Sequence, residues 1–103
     1  MGYEIVFHPK ARDDFEALDL SVKKDVTKKI DALSENLLLG KPLGNKMGLD
    51  LTDCYKLYVH NKKYRIVYRL IGEYIELIEI IAIGKRDREN VYKIAAKRIK
   101  EEN

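Results

Sequence analysis

The chain has 103 residues, 46% of them hydrophobic and 36% charged, with a formal net charge of +3. That length suits one small domain, 1–103, and not two; no run of about 18 apolar residues occurs, which excludes a membrane-crossing helix. The single cysteine, Cys54, excludes an internal disulfide, and it and the two histidines, His8 and His60, are too few and too scattered for a zinc site.

Tyr3 to Phe7 reads as a short first strand, rich in residues that favour strands. The opening residues lack the basic and apolar regions of a signal peptide, so the expectation is a soluble, cytoplasmic protein. Pro9 follows where a helix can begin, because its missing N–H costs nothing in the first turn. Ala11, Phe15 and Leu18 recur at helical spacing, and Asp19-Leu20-Ser21 breaks the pattern, with Ser21 a candidate cap for the next helix. Val22, Val26, Ile30, Leu33 and Leu37 then fall on one helical face. So short a joint predicts an antiparallel helical hairpin.

Gly40 to Asp53 contains four breakers, Gly40, Pro42, Gly44 and Gly48, without a sustained period, and reads as a loop. Three strand-like runs follow, Cys54 to His60, Tyr64 to Leu70 and Tyr74 to Ile83. The separators Asn61-Lys62-Lys63 and Ile71-Gly72-Glu73 are short enough for hairpins, so the sheet is expected to be an antiparallel meander. From Asp87 onward Val91, Ile94, Ala95 and Ile99 mark a final amphipathic helix. The order β-α-α-β-β-β-α predicts an α+β domain whose sheet packs against the helical hairpin and the C-terminal helix.

Charge is unevenly spread. Residues 54–70 carry Lys56, Lys62, Lys63, Arg65 and Arg69 and no acid, while residues 85–100 carry seven bases against Asp87 and Glu89. Each segment holds +5, leaving −7 for the rest, as in a protein with one face for a polyanion. A two-residue turn at Asn61-Lys62 pairs position 58 with 65 and 56 with 67. That register puts Lys56, Tyr58, Arg65 and Arg69 on one face, an agreement that a one-residue slip would destroy. Lys85, Arg86 and Arg88 follow the last strand and can add cations at its end. A basic surface fringed by tyrosines suits RNA, since guanidinium forks bind phosphate and tyrosine rings stack on unpaired bases.

The ordered set Asp53-Cys54-Tyr55-Lys56-Leu57, Tyr64-Arg65-Ile66-Val67-Tyr68, Ile83-Gly84-Lys85-Arg86-Asp87-Arg88, Val91-Tyr92 and Ala96-Lys97-Arg98-Ile99 resembles a RelE-type toxin of the RelE/ParE superfamily. The resemblance covers nearly the whole chain and is most specific from Asp53 to Ile99. It implies a RelE-like fold and a messenger-RNA interferase of a type II toxin–antitoxin pair, cutting the message in the ribosomal A site without a metal or other cofactor. In that chemistry the message's own 2′-hydroxyl attacks the adjacent phosphate, leaving a 2′,3′-cyclic phosphate and a 5′-hydroxyl. Implied partners are the ribosome, messenger RNA and a RelB-like antitoxin encoded next door, with no membrane.

Carried over by position, the resemblance makes Lys56, Arg65, Arg86 and Tyr92 the expected catalytic residues. Tyr58, Arg69, Lys85, Arg88 and Lys46 are expected to bind substrate. Arginines suit the charge that develops on phosphate oxygens, and Lys56 is the candidate acceptor of the 2′-hydroxyl proton. Tyr92 has two readings, a base-stacking ring or a proton donor to the leaving oxygen. The family often has a second lysine where this chain has Tyr58, which points to a slower ribonuclease. Alternatives are a non-catalytic ParE-type inhibitor of DNA gyrase and a degenerate relative that only binds its antitoxin.

The remaining candidates read as structural. His8, before Pro9, is a strand-end or capping residue; His60, near a hairpin tip and without a partner, faces solvent; Cys54 is a small strand residue rather than a nucleophile. Lys93, Lys97, Arg98 and Lys100 either solvate the last helix or meet RNA phosphates.

Overall fold

The computed structural model describes residues 3–46, 48–72, 77–85 and 90–101. In chain order the elements are β1 (Glu4–Phe7), α1 (Pro9–Glu16), α2 (Leu20–Glu35), β2 (Lys41–Lys46), β3 (Leu49–Val59), β4 (Tyr64–Ile71), β5 (Leu77–Lys85) and α3 (Asn90–Glu101). One five-stranded sheet has the order β1-β5-β4-β3-β2, with β1 parallel to β5 and the other pairs antiparallel. Among the described residues, no helix is long and apolar enough to cross a membrane.

The expected α+β architecture is present, with one correction. The stretch read as a loop, Gly40 to Asp53, contributes β2 and the first half of β3. Its breakers are accommodated rather than avoided. The β2–β3 register shifts between Pro42 and Gly44, where Gly44 has φ +58° and Asp53 on the facing strand has φ +67°. Such a bulge absorbs extra residues and interrupts the alternation that sequence reading depends on. Pro42 is tolerable because β2 is an edge strand.

The expected register of β3 and β4 is realised, with Lys56 opposite Val67 and Tyr58 opposite Arg65. Lys63 N donates to His60 O at 3.1 Å, closing the turn. Its central residues, Asn61 and Lys62, both have positive φ, as twist-matched hairpin turns require.

The helices cover both sides of the sheet. Leu57, Val59, Ile66, Tyr68, Ile78, Ile80 and Ile83 pack with Ala11, Val22, Val26 and Leu33 from α1 and α2. Leu51, Cys54, Val67, Ile81 and Ala82 pack with Val91, Tyr92 and Ala95 from α3. The β4–β5 register shifts beyond Val67, so the neighbours Ile81 and Ala82 both join the α3 side. Two details of the helices differ from expectation. Asp19, not Ser21, holds the N-cap position of α2, and α2 ends at Glu35, although Leu37 still packs on the core. On α3, Tyr92 is buried while Ile94 stays exposed.

His8 caps α1 as expected, its Nδ1 accepting from Lys10 N at 3.1 Å. Beyond Ile80, β5 outruns its short neighbour β1, and side chains from the helices take over its backbone groups. Arg98 donates to Ile81 O at 2.9 Å, and Ile83 N donates to Asp14 Oδ2 at 3.0 Å. Arg98 and Asp14 meet through both guanidinium nitrogens, at 2.6 and 3.1 Å. A bidentate pair of this kind fixes geometry as well as charge. The structure gives Arg98 neither of its two expected roles: it is a tie between α1, α3 and β5. Lys97 instead stands 4.0 Å from Glu101 on the exposed side of α3.

Candidate active site

The face shared by β3, β4 and α3 gathers three of the four residues expected to be catalytic. Gly84, opposite Arg65, has no side chain to interpose, and a Cβ there would stand 3.4 Å from Val91 Cγ2. The close approach of α3 carries Tyr92 over Arg65. The guanidinium carbon lies 4.8 Å from the centre of the Tyr92 ring and 5.4 Å from that of Tyr58. Lys56 completes the chain of contacts. Its Nζ is 5.3 Å from the Tyr58 ring centre and donates to Tyr58 Oη at 3.4 Å.

The basic face is thus less open than the alternation implied. Arg65 is only 6% exposed. Its Nε and Nη1 are buried and have no hydrogen-bond partner among the described residues. Rings on either side stabilise a desolvated cation by ~2 kcal/mol or more, against several kcal/mol to bury it. The arrangement leaves a guanidinium desolvated, with two donors unmet among the described residues.

The other expected site residues are dispersed. Arg69 shares the face but its Nε donates to Glu79 Oε1 at 2.6 Å, so its charge is largely answered. Lys85 is exposed at the end of β5 and lines a cleft with Asp14, Asp19 and Tyr64 on the side of α1 and α2, away from Tyr92. Lys46 ends β2, and its side chain lies outside the described residues, as do Arg86 and Arg88. Sequence reading missed Lys41, which β2 places opposite Lys56 as a further cation beside the site. Its only signal was hidden in a segment that looked like a loop.

Cys54 is buried, and burial pushes its thiol up to about 11, so it is no nucleophile at neutral pH. His60 departs from expectation. Its Nδ1 lies 2.6 Å from Asp25 Oδ2, and its ring meets Tyr64 edge-on at 6.0 Å. The partner comes from α2, 35 positions away, where no local pattern could reveal it.

On the opposite side of the sheet, Tyr68 ties the α2–β2 connection to β4. Its buried hydroxyl donates to Leu37 O at 2.9 Å and accepts from Gly40 N at 3.0 Å, and burial raises its pKa. A Cβ on Gly40 would stand 2.5 Å from Lys56 O and 2.7 Å from Tyr68 Oη. Only glycine lets the α2–β2 connection lie this close to the Lys56 backbone.

The family model for the ParE toxin of type II toxin–antitoxin systems, parDE, matches residues 5–90. The chain belongs to this toxin family. It is 32% identical to the mRNA interferase toxin RelE of Escherichia coli strain K12 over 99 residues, covering 96% of this chain and 99% of that one. A variant of E. coli toxin RelE in the free state has the same fold, with a TM-score of 0.76 and 29% identity, covering 96% of this toxin and 99% of that chain. The toxin fold also matches a chain of the intact E. coli RelBE toxin–antitoxin complex, with a TM-score of 0.63 and 26% identity over 84% of this chain and 99% of that one.

Proposed function

We propose that this toxin is a ribosome-dependent endoribonuclease that cuts messenger RNA in the A site, in the cytoplasm, and that a RelB-like antitoxin restrains it. One relative that matches 96% of the chain is an mRNA interferase. The observation that carries the reading is Arg65, a buried guanidinium between Tyr58 and Tyr92 with two nitrogens lacking partners among the described residues. A toxin that worked only by docking on a protein would gain nothing from an unanswered buried cation. A phosphate supplies both the charge and the acceptors that Arg65 lacks.

In the proposed reaction the 2′-oxygen attacks the adjacent phosphorus and the bond to the 5′-oxygen breaks. Lys56, in its neutral form, takes the 2′-hydroxyl proton, and Arg65 stabilises the charge developing on the phosphate oxygens. Arg86 and Arg88 are proposed to add to that stabilisation. Tyr92 is buried against Arg65, which speaks against stacking on a base, and is proposed to protonate the leaving 5′-oxygen; Tyr92→Phe, which keeps the ring and removes the proton, tests that role. Arg69, Lys85 and Lys46 are proposed to support RNA binding, with Arg69 the least available because of Glu79.

The test is single-turnover cleavage of a programmed ribosome, with mapping of the new ends. Fragments ending in a cyclic phosphate and a 5′-hydroxyl, within codons of the bound message, are the expected products. Intact messages with inhibited DNA gyrase would instead establish the non-catalytic alternative. Co-expression with a neighbouring small protein that binds the toxin and relieves its toxicity tests the antitoxin.

A further inference from the structure

Two clefts lie side by side at the edge of the site, the first bordered by Lys56 and Tyr58 and the second reaching beyond them. One, of about 220 Å³, is lined by Lys29, Lys41, Lys56 and Tyr58. The other, of about 460 Å³, is lined by Lys28, Lys29, His60 and Asp25. Lys29 of α2 belongs to both. Along β3 the first cleft takes Lys56, Leu57 and Tyr58 and the second takes Val59, with His60 and Asn61 just beyond the strand. The two therefore adjoin along six successive residues, of which Lys56 to Val59 span ~10 Å at strand spacing before the chain enters the turn.

The charge along this path is nearly all of one sign. Lys41, Lys56, Lys29 and Lys28 follow one another, and the acid among the lining residues, Asp25, is held by His60 at 2.6 Å. Lys28 and Lys29 are exposed on α2, and neither is needed for the core. Spaced cations on one rim, starting at the residue that meets the reacting nucleotide, match a strand with one negative charge per nucleotide.

We propose that α2 and the β3–β4 hairpin form a binding track for the ribose-phosphate backbone of the message flanking the cut, with Lys28 and Lys29 contacting its phosphates. The inference rests on the ribonuclease reading, because the strand enters the track from the Lys56 site. An acidic protein segment is less favoured, since the path begins at the phosphate-directed cluster itself.

The experiment uses the whole toxin and single-stranded RNA oligonucleotides of increasing length, with a 2′-deoxy sugar at the cut position, followed by fluorescence anisotropy across a salt series. For single strands, log K falls with log salt by ~0.7 per phosphate neutralised. Lys28→Ala/Lys29→Ala should therefore lower the slope by ~1.4 and abolish the affinity gained on lengthening the RNA. In ribosome assays the same variant should raise KM and leave kcat unchanged. If the variant keeps the wild-type slope and length dependence while the wild type cleaves, the track is wrong and the ribonuclease reading stands. If it weakens only ribosome binding, the lysines contact ribosomal RNA and the proposal is overturned. Equal competition by an acidic peptide overturns the assignment to RNA. A wild type that cuts no message on a programmed ribosome overturns both readings, whereas one that cuts there without binding free RNA overturns the track alone.

Discussion

On the hairpin side of the sheet Tyr68 is fully buried, and its hydroxyl has a donor in Gly40 and an acceptor in Leu37. On the α3 side Arg65 is nearly as buried, carries a full charge, and keeps two nitrogens without partners among the described residues. Buried polar groups are normally satisfied, because each unmade hydrogen bond costs about 1–3 kcal/mol. Tyr68 obeys that rule and Arg65 does not. One face is thus satisfied within the chain, while the other keeps the unmet donors on which the proposed function rests. The same contrast separates Arg98 on α3, answered by Asp14 and Ile81, from Arg65 on β4.

The sharpest way to break this comparison is Arg65→Met. Cleavage in a single turnover should fall about 10²–10³-fold, the cost of losing one preorganised charge-stabilising donor. Thermal stability should hold or rise, since exchanging a buried charge for apolar packing is often neutral or stabilising. A large drop in the melting midpoint with retained cleavage would place Arg65 among the folding residues instead.

Tyr68→Phe is the converse. It leaves Gly40 N and Leu37 O unsatisfied and should cost about 1–3 kcal/mol in denaturant unfolding, with cleavage by the folded protein unchanged. Gly40→Ala should cost a similar ~1–3 kcal/mol through overpacking, but it also pushes on the Lys56 carbonyl and should slow cleavage. The two substitutions share contacts, so their costs should not add. Full activity in folded Gly40→Ala would show that the Lys56 backbone is indifferent to its support.

How much of this was legible in the sequence follows from the range of each interaction. The β3–β4 register was readable because strand alternation and a two-residue turn are local and agree with each other. β2 was not, because a bulge with Asp53 in the left-handed region breaks the period, and Gly44 and Pro42 look like loop residues. The set Lys56, Arg65 and Tyr92 was named through family resemblance, yet the burial of Arg65 was not foreseeable. It depends on α3 turning Tyr92 rather than Ile94 inward, which a helical stripe of Val91, Ile94 and Ala95 does not decide. Arg69 to Glu79, His60 to Asp25 and Arg98 to Asp14 join positions 10, 35 and 84 apart, beyond any local pattern.

Tyr58 sharpens the comparison further, because its ring serves both Lys56 and Arg65. Tyr58→Phe keeps the ring and should change cleavage less than Lys56→Ala does. Tyr58→Leu removes the ring's attraction for the cations, worth about 0.5–2 kcal/mol, and should slow cleavage by roughly 2–30-fold. Equal, severe losses in both variants would assign the chemistry to the hydroxyl and remove Lys56 as the base.

The smallest expected effect lies at the hairpin tip, which joins the two faces and belongs to neither. His60, Asn61 and Lys62 have φ of +57°, +56° and +65°, three side-chain-bearing residues in a region that favours glycine. The left-handed backbone costs a residue with a Cβ about 1–2 kcal/mol, and this is the twist a two-residue hairpin demands. Asn61 tolerates it through its short polar side chain, whereas Lys62 has no such local compensation. Lys62→Gly relieves the strain but adds freedom to the unfolded chain, worth about 0.4–1 kcal/mol in the other direction. The net should be a gain of ~0.5 kcal/mol, read as a higher urea midpoint at unchanged m-value. Cleavage should be unaltered, because the strain at Lys62 answers to turn geometry, while the unsatisfied charge of Arg65 answers to substrate. A lower midpoint would mean that the Lys62 side chain, not its backbone, holds the tip; slower cleavage at an unchanged midpoint would extend the RNA-binding surface beyond His60 to the turn itself.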